Sequence, residues 1–107
     1  MARNNRDTAD VEKAVLGAMM IDNKVIDGVA EILDGVSNFY DIGHRKIYTS
    51  ILSVYESGIP ADQVTVSEEL SRKGELDDVG GAATIASLAG EMASAVNAEY
   101  HAKVLVT

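Results

Sequence analysis

Between His44 and Ser57 the apolar positions are Ile47, Tyr48, Ile51, Leu52, Val54 and Tyr55. Spacings of three and four residues place them on one broad face of a helix. Asp41 is a fitting N-cap, and Gly58 followed by Pro60 is a fitting stop. The stripe is too wide for a helix with a single neighbour. The pattern predicts a central helix over residues 42–57, with its large side chains touching most of the remaining elements.

The rest of the chain reads as further short helices. Residues 1–8 are polar and are expected to form a disordered lead-in, with a helical domain over 9–107. Helix one is expected from Ala9 to Ile21, capped by Thr8, with Asp10 and Glu12 opposing its dipole in the first turn. Its apolar face is Val11, Val15, Leu16 and Met19. Gly17 sits inside it, where a glycine costs about 1 kcal/mol relative to alanine. Close approach of another helix is the expected compensation. Asp22 and Asn23 break this helix and cap a second from Lys24 to Leu33. The Phe39-Tyr40 pair is expected to plug the space between helices two and three.

After the central helix, Thr65 and Glu68 fit a capping box opening a helix to Lys73, closed by Gly74. Small apolar residues repeat at helical spacing from Ala82 to Leu88, and Gly90 closes that element. Asn97 is expected to cap a last helix from Ala98 to Val106, with Tyr100 and Val104 one turn apart. No segment alternates over a strand's length. The expected fold is all-α, a compact bundle of about six short helices around the central one.

Composition narrows the chemistry. The 107 residues include no Cys, which excludes disulfides, thiolate zinc sites and thiol nucleophiles. A domain of this size buries roughly 60–70% of its unfolded surface and needs no such staple. The N-terminal residues lead into no apolar signal core, so a cytoplasmic protein is expected. Seventeen acidic against nine basic residues give a net charge of −8. The basic residues are scattered, which argues against a phosphate backbone as direct partner. An acidic surface suits a basic protein partner.

No phosphate loop, zinc-protease helix, EF-hand loop or serine-hydrolase elbow occurs. The two histidines, His44 and His101, lack ligand spacing. His44 is expected in the first turn of the central helix, holding a backbone group or packing on Phe39 or Tyr40. His101 is expected at the surface. The acidic run Glu75, Asp77 and Asp78 shows no oxygen-ligand register and reads as a solvated loop. Residues 65–76 resemble the first helix of a helix-turn-helix, but the following Gly-Gly-Ala-Ala-Thr-Ile-Ala-Ser offers no basic residue for a groove.

The order of motifs resembles the N-terminal domain of bacterial replicative DNA helicases, the DnaB family. The resemblance is carried by residues 11–22 (Val-Glu-Lys-Ala-Val-Leu-Gly-Ala-Met-Met-Ile-Asp), 38–40 (Asn-Phe-Tyr) and 44–51 (His-Arg-Lys-Ile-Tyr-Thr-Ser-Ile). It continues through 58–66 (Gly-Ile-Pro-Ala-Asp-Gln-Val-Thr-Val), the repeated Glu-Leu of 69–76, Gly80-Gly81, and 94–100 (Ser-Ala-Val-Asn-Ala-Glu-Tyr). Two departures stand out. There is no proline-rich lead-in, and the residues after Gly80-Gly81 are Ala82-Ala83-Thr84 without the aromatic common in the family.

The resemblance implies a head domain without catalytic activity, taking no cofactor itself. Its parent would be an ATP-dependent helicase that uses ATP and Mg on a separate domain. The implied partners are other helicase subunits, the C-terminal domain of primase and, in some systems, a helicase loader. Neither nucleic acid nor membrane is an expected partner. The resemblance implies partner contacts on the region after Gly80-Gly81, where Thr84 lies on helix five, and helix one offers the polar Asp10 and Lys13 beside its buried stripe; these three are the candidate protein-binding residues. Two other readings stand beside it: a free-standing small helical regulator of a replication protein, and a helix-turn-helix-like DNA-binding domain.

The family's collar pairs through a helical hairpin that begins near the last helix of this chain. A fragment of a longer protein is therefore expected, and this piece should be monomeric or weakly self-associating. Sedimentation velocity checks this: a single monomer peak is expected, and a tight dimer contradicts it.

Overall fold

The computed structural model describes residues 5–92 and 94–107. Six α-helices occur among them: α1 (Asn5–Ile21), α2 (Ile26–Ile32), α3 (Ile42–Glu56), α4 (Gln63–Arg72), α5 (Gly81–Gly90) and α6 (Ala98–Leu105). Short 3-10 turns at Asn23–Val25, Val36–Asn38 and Asp77–Val79 join them, and no strand is present among the described residues. The all-α bundle expected from the apolar spacing is the fold observed. The expected helix over 42–57 is α3, but it packs mainly on α1 and α4 rather than on most of the other helices; the element with the widest packing is α1, which lies against α3, α5 and α6.

The core follows from the apolar stripes. Val15, Leu16 and Met19 of α1 meet Ile47, Tyr48 and Ile51 of α3, all buried. Ile26 and Val29 of α2, Val66 and Leu70 of α4, and Ile85 of α5 complete it. Each fully buried large aliphatic side chain contributes about 1.5–3 kcal/mol relative to leaving it in water. Gly17 has the expected role. A Cβ there would overlap Leu88 O and Met92 Cγ, so α5 and the residues after it approach α1 at backbone distance.

Several helix ends differ from the sequence reading. Helix α1 starts at Asn5, ahead of Ala9, while the lead-in before Asn5 lies outside the described residues. Thr8 is therefore not a cap. It is buried inside the helix, and its Oγ1 donates to Glu12 Oε2 at 3.3 Å. The second helix opens as a 3-10 turn and becomes α-helical only at Ile26. Asp22 caps that turn as expected, accepting from Lys24 N–H at 3.0 Å. Asn23 turns inward instead. Its Nδ2 donates to Met19 O at 2.9 Å and Ala61 O at 2.8 Å, and its Oδ1 accepts from Ala61 N–H at 2.9 Å. One side chain thus ties the end of α1 to the loop after α3.

The capping box of α4 also differs. It is Asp62–Thr65 rather than Thr65–Glu68: Asp62 Oδ1 accepts from Thr65 N–H at 2.9 Å, and Asp62 N–H donates to Thr65 Oγ1 at 2.9 Å. Gly74 ends the α4 segment with φ +74, a conformation that strains any residue with a Cβ. At the last helix Asn97 holds the N-cap position without a side-chain bond, and α6 ends at Leu105. The buried face of α6 is Ala98, Ala102 and Leu105, leaving Tyr100 66% exposed. Small alanines win that face because α6 lies close along α1.

The junction between α1 and α3 rests on one buried carboxylate. Glu12 is 1% exposed and lies two turns into α1, so it is not the first-turn acid opposing the helix dipole that was expected. Its Oε2 accepts from Tyr40 N–H at 2.8 Å, and Oε1 lies 2.7 Å from His44 Nδ1 and 3.4 Å from Asp41 N. His44 is structural, as expected, but its partner is this carboxylate and not a backbone group. Asp41 caps α3 by accepting from His44 N–H at 3.1 Å. The aromatic pair divides. Phe39 is fully buried with its ring 5.0 Å from Tyr48, while Tyr40 is 60% exposed.

Removing the carboxylate strands these donors in the interior. Glu12→Ala is expected to cost about 3 kcal/mol in urea unfolding, with Glu12→Gln losing less because one acceptor oxygen remains. A second expectation concerns alkaline pH. Burial raises the Tyr48 phenol above its ordinary pKa of 10.0, and the negative charge of Glu56 adds to the shift. The folded state then keeps a proton that the unfolded chain releases, so stability is full below that pH and falls as pH rises past it. The melting temperature should drop less steeply above that pH in Tyr48→Phe than in the parent chain.

Candidate protein-docking surface

Helix α1 turns its Glu12 side inward and leaves Asp10 and Lys13 in solvent. The same spacing that buries Val15 and Met19 places these two charges on the outer edge of the helix. They border a shallow depression whose other walls are Ala14, Leu88, Glu91 and Met92. Leu88 is buried and Met92 half-buried, so the floor is apolar and soft. Ser87 Oγ donates to Glu91 Oε2 at 2.7 Å and orients that carboxylate at the rim. Lys13 has no ion-pair partner among the described residues. The arrangement is a small apolar floor framed by one cation and two carboxylates.

The depression exists because α1 and α5 cross closely at Gly17. That crossing brings Asp10 and Lys13 beside residues far away in sequence. Thr84 stands apart: it lies one turn before Leu88, does not line the depression, and donates its Oγ1 to Gly80 O at 3.0 Å. Leu88, Glu91 and Met92 were absent from the sequence-derived set. The usable signal was Gly17 itself, since a mid-helix glycine required a partner and Leu88 with Met92 repeats at helical spacing.

Several polar groups are tied into contacts between helices. His44 is held by Glu12, and Glu69, itself buried, accepts from Ser53 Oγ at 3.2 Å and pairs with Arg72. Two acids of the run after α4 have cation partners, with Lys73 3.7 Å from Glu75 and Lys46 3.0 Å from Asp78. Among the described residues no three His, Cys, Asp or Glu side chains gather as a metal-binding group. No helix there is long and apolar enough to cross a membrane.

Comparison with known proteins agrees over nearly the whole length. The family model for the DnaB-like helicase N terminal domain matches residues 4–107. The replicative DNA helicase DnaB of Rhodothermus marinus is 41% identical over 96 residues, which is 90% of this chain and 10% of that protein. The DnaB of Geobacillus stearothermophilus is 36% identical over 96 residues, covering 90% of this chain and 21% of the relative. The crystal structure of the N-terminal domain of DnaB helicase from Mycobacterium tuberculosis superposes with a TM-score of 0.85 at 39% identity. It covers 89% of this chain and 65% of that one. With the motif order, the helical bundle and these matches in agreement, the chain belongs to the DnaB-like helicase N-terminal domain family.

Proposed function

We propose that this domain is the non-catalytic N-terminal collar of a replicative DNA helicase and works by binding proteins during DNA replication in the cytoplasm. The parent protein would carry ATP and Mg on a separate motor domain. The partners of the collar are other helicase subunits, the C-terminal domain of primase and, in some systems, a helicase loader. The observation that carries this reading is the α1–α5 depression: Asp10 and Lys13 are exposed charges beside the apolar Leu88 and Met92. Elsewhere His44 and the buried carboxylates Glu12 and Glu69 are held in contacts between helices. An acidic domain of this kind has charge to steer a basic partner.

Asp10, Lys13 and Thr84 are assigned to this contact, with Asp10 and Lys13 at the rim and Thr84 on the adjoining turn of α5. Rim charges act on association rate and salt dependence more than on tight-complex affinity. Calorimetric titration with the primase C-terminal domain from the same source tests the assignment. Saturable binding is expected, weakened by about tenfold in Asp10→Lys and Lys13→Glu at low salt and less in Thr84→Ala. Absence of binding, both here and with the helical hairpin of the relatives appended, contradicts the reading.

A further inference from the structure

The outer side of α3 carries a different surface. Residues 42, 45, 46, 49, 52, 53 and 56 recur at helical spacing and lie along one side of that helix. Two grooves that share Thr49 follow this line. One is walled by Ile42, Arg45 and Lys46 of α3 with Val36 and Lys73, the other by Leu52, Ser53 and Glu56. At 1.5 Å per residue the line from Ile42 to Glu56 is about 21 Å long, some four helical turns.

Its composition is unlike the rest of the surface. Ile42 is 59% and Val36 40% exposed, a pair of large aliphatic side chains held in water within one groove. In a chain of net charge −8 with only nine Lys and Arg, three of those cations gather here. Lys46 is satisfied by Asp78 at 3.0 Å and Lys73 by Glu75 at 3.7 Å, in exposed pairs worth little to stability and easily exchanged. Arg45 spends its Nε on Phe39 O at 2.7 Å and has no ion-pair partner among the described residues. The far end of the line carries Glu56 instead. The surface is therefore polarised: at the start of α3 three cations outnumber Glu75 beside exposed Ile42 and Val36, and at its end Glu56 lies beside Leu52, the one apolar residue of that groove.

We propose that this line is a docking groove for an acidic amphipathic helix of a partner protein. The acidic end of that helix rests on Arg45 and Lys46, and its apolar face covers Ile42, Val36 and Leu52. A nucleic-acid strand fits less well: the cations gather at one end only and cannot follow a phosphate backbone along the line, and no exposed aromatic ring lines the groove to stack bases. The groove is separate from the α1–α5 depression, with no residue in common. The two contacts therefore stand or fall independently.

The test is fluorescence anisotropy with a labelled synthetic helix of about 15 residues, leucines along one face and glutamates at one end. A second peptide carries lysines in place of the glutamates, and a labelled single-stranded oligonucleotide is the third probe. Saturable binding of the acidic peptide is expected, with the lysine peptide at least about tenfold weaker. Arg45→Glu combined with Lys46→Glu should weaken the acidic peptide by about tenfold or more, whereas Lys103→Glu on α6 should leave it unchanged. Because Arg45 also holds a backbone carbonyl, Ile42→Ser serves as the second variant. It alters an exposed side chain, should keep the circular dichroism of the parent and should still weaken binding by several-fold. Equal affinity for the two peptides, binding indifferent to both variants, preference for the oligonucleotide, or no saturable binding overturns the proposal.

Discussion

A carboxylate buried between two helices must be fully hydrogen-bonded or it opposes folding, and Glu12 meets that condition with donors from three segments. Thr8 comes from its own helix, Tyr40 and Asp41 from the connection, and His44 from the first turn of α3. The carboxylate also sits at the start of α3, where free N–H groups and the helix dipole favour negative charge. Much of the geometry follows from this junction. With α3 held to α1 at its N-terminus, Phe39 is driven into the core against Tyr48, and Tyr40 is turned out to solvent. Asn23 does the equivalent work at the other end of α3, tying Ala61 back to the end of α1.

The parts of the fold that were legible in the sequence are those decided locally. The α3 stripe, the Asp41 cap and the Gly74 stop depend on neighbours within a turn or two, and each was readable from spacing and turn chemistry. Gly17 was readable for a different reason: its cost inside a helix demanded a packing explanation. The errors share a cause as well. Glu12 looked like an ordinary first-turn acid, and Asn23 like a cap, because their true partners lie 28 to 38 residues further along. The capping box was misplaced although it is local. Thr65–Glu68 and Asp62–Thr65 both fit a template with three-residue spacing, and only the preceding loop selects between them. Tyr100 and Val104 outranked Ala98 and Ala102 on hydrophobicity, yet close packing on α1 favours the smaller pair.

The candidate site shows the same division. Asp10 and Lys13 were identifiable as exposed charges beside a buried stripe. Their neighbours Leu88, Glu91 and Met92 come from across the helix crossing, and Thr84 lies off that depression. The interior commits Glu12 and Glu69 to contacts between helices, while charge and exposed apolar area lie on the surface. Membership in the DnaB-like helicase N-terminal domain family is the context in which the proposed docking faces are to be tested.

The most direct test of the Glu12 junction is amide hydrogen exchange at Tyr40 and Asp41 in the unaltered domain. Both precede α3, and both have side chains in solvent, so an ordinary loop would exchange them rapidly. If Glu12 holds this segment, the Tyr40 amide should be protected nearly as strongly as the core amides of α3, exchanging only when the domain unfolds as a whole. Exchange of Tyr40 at the rate of an open loop would contradict the account.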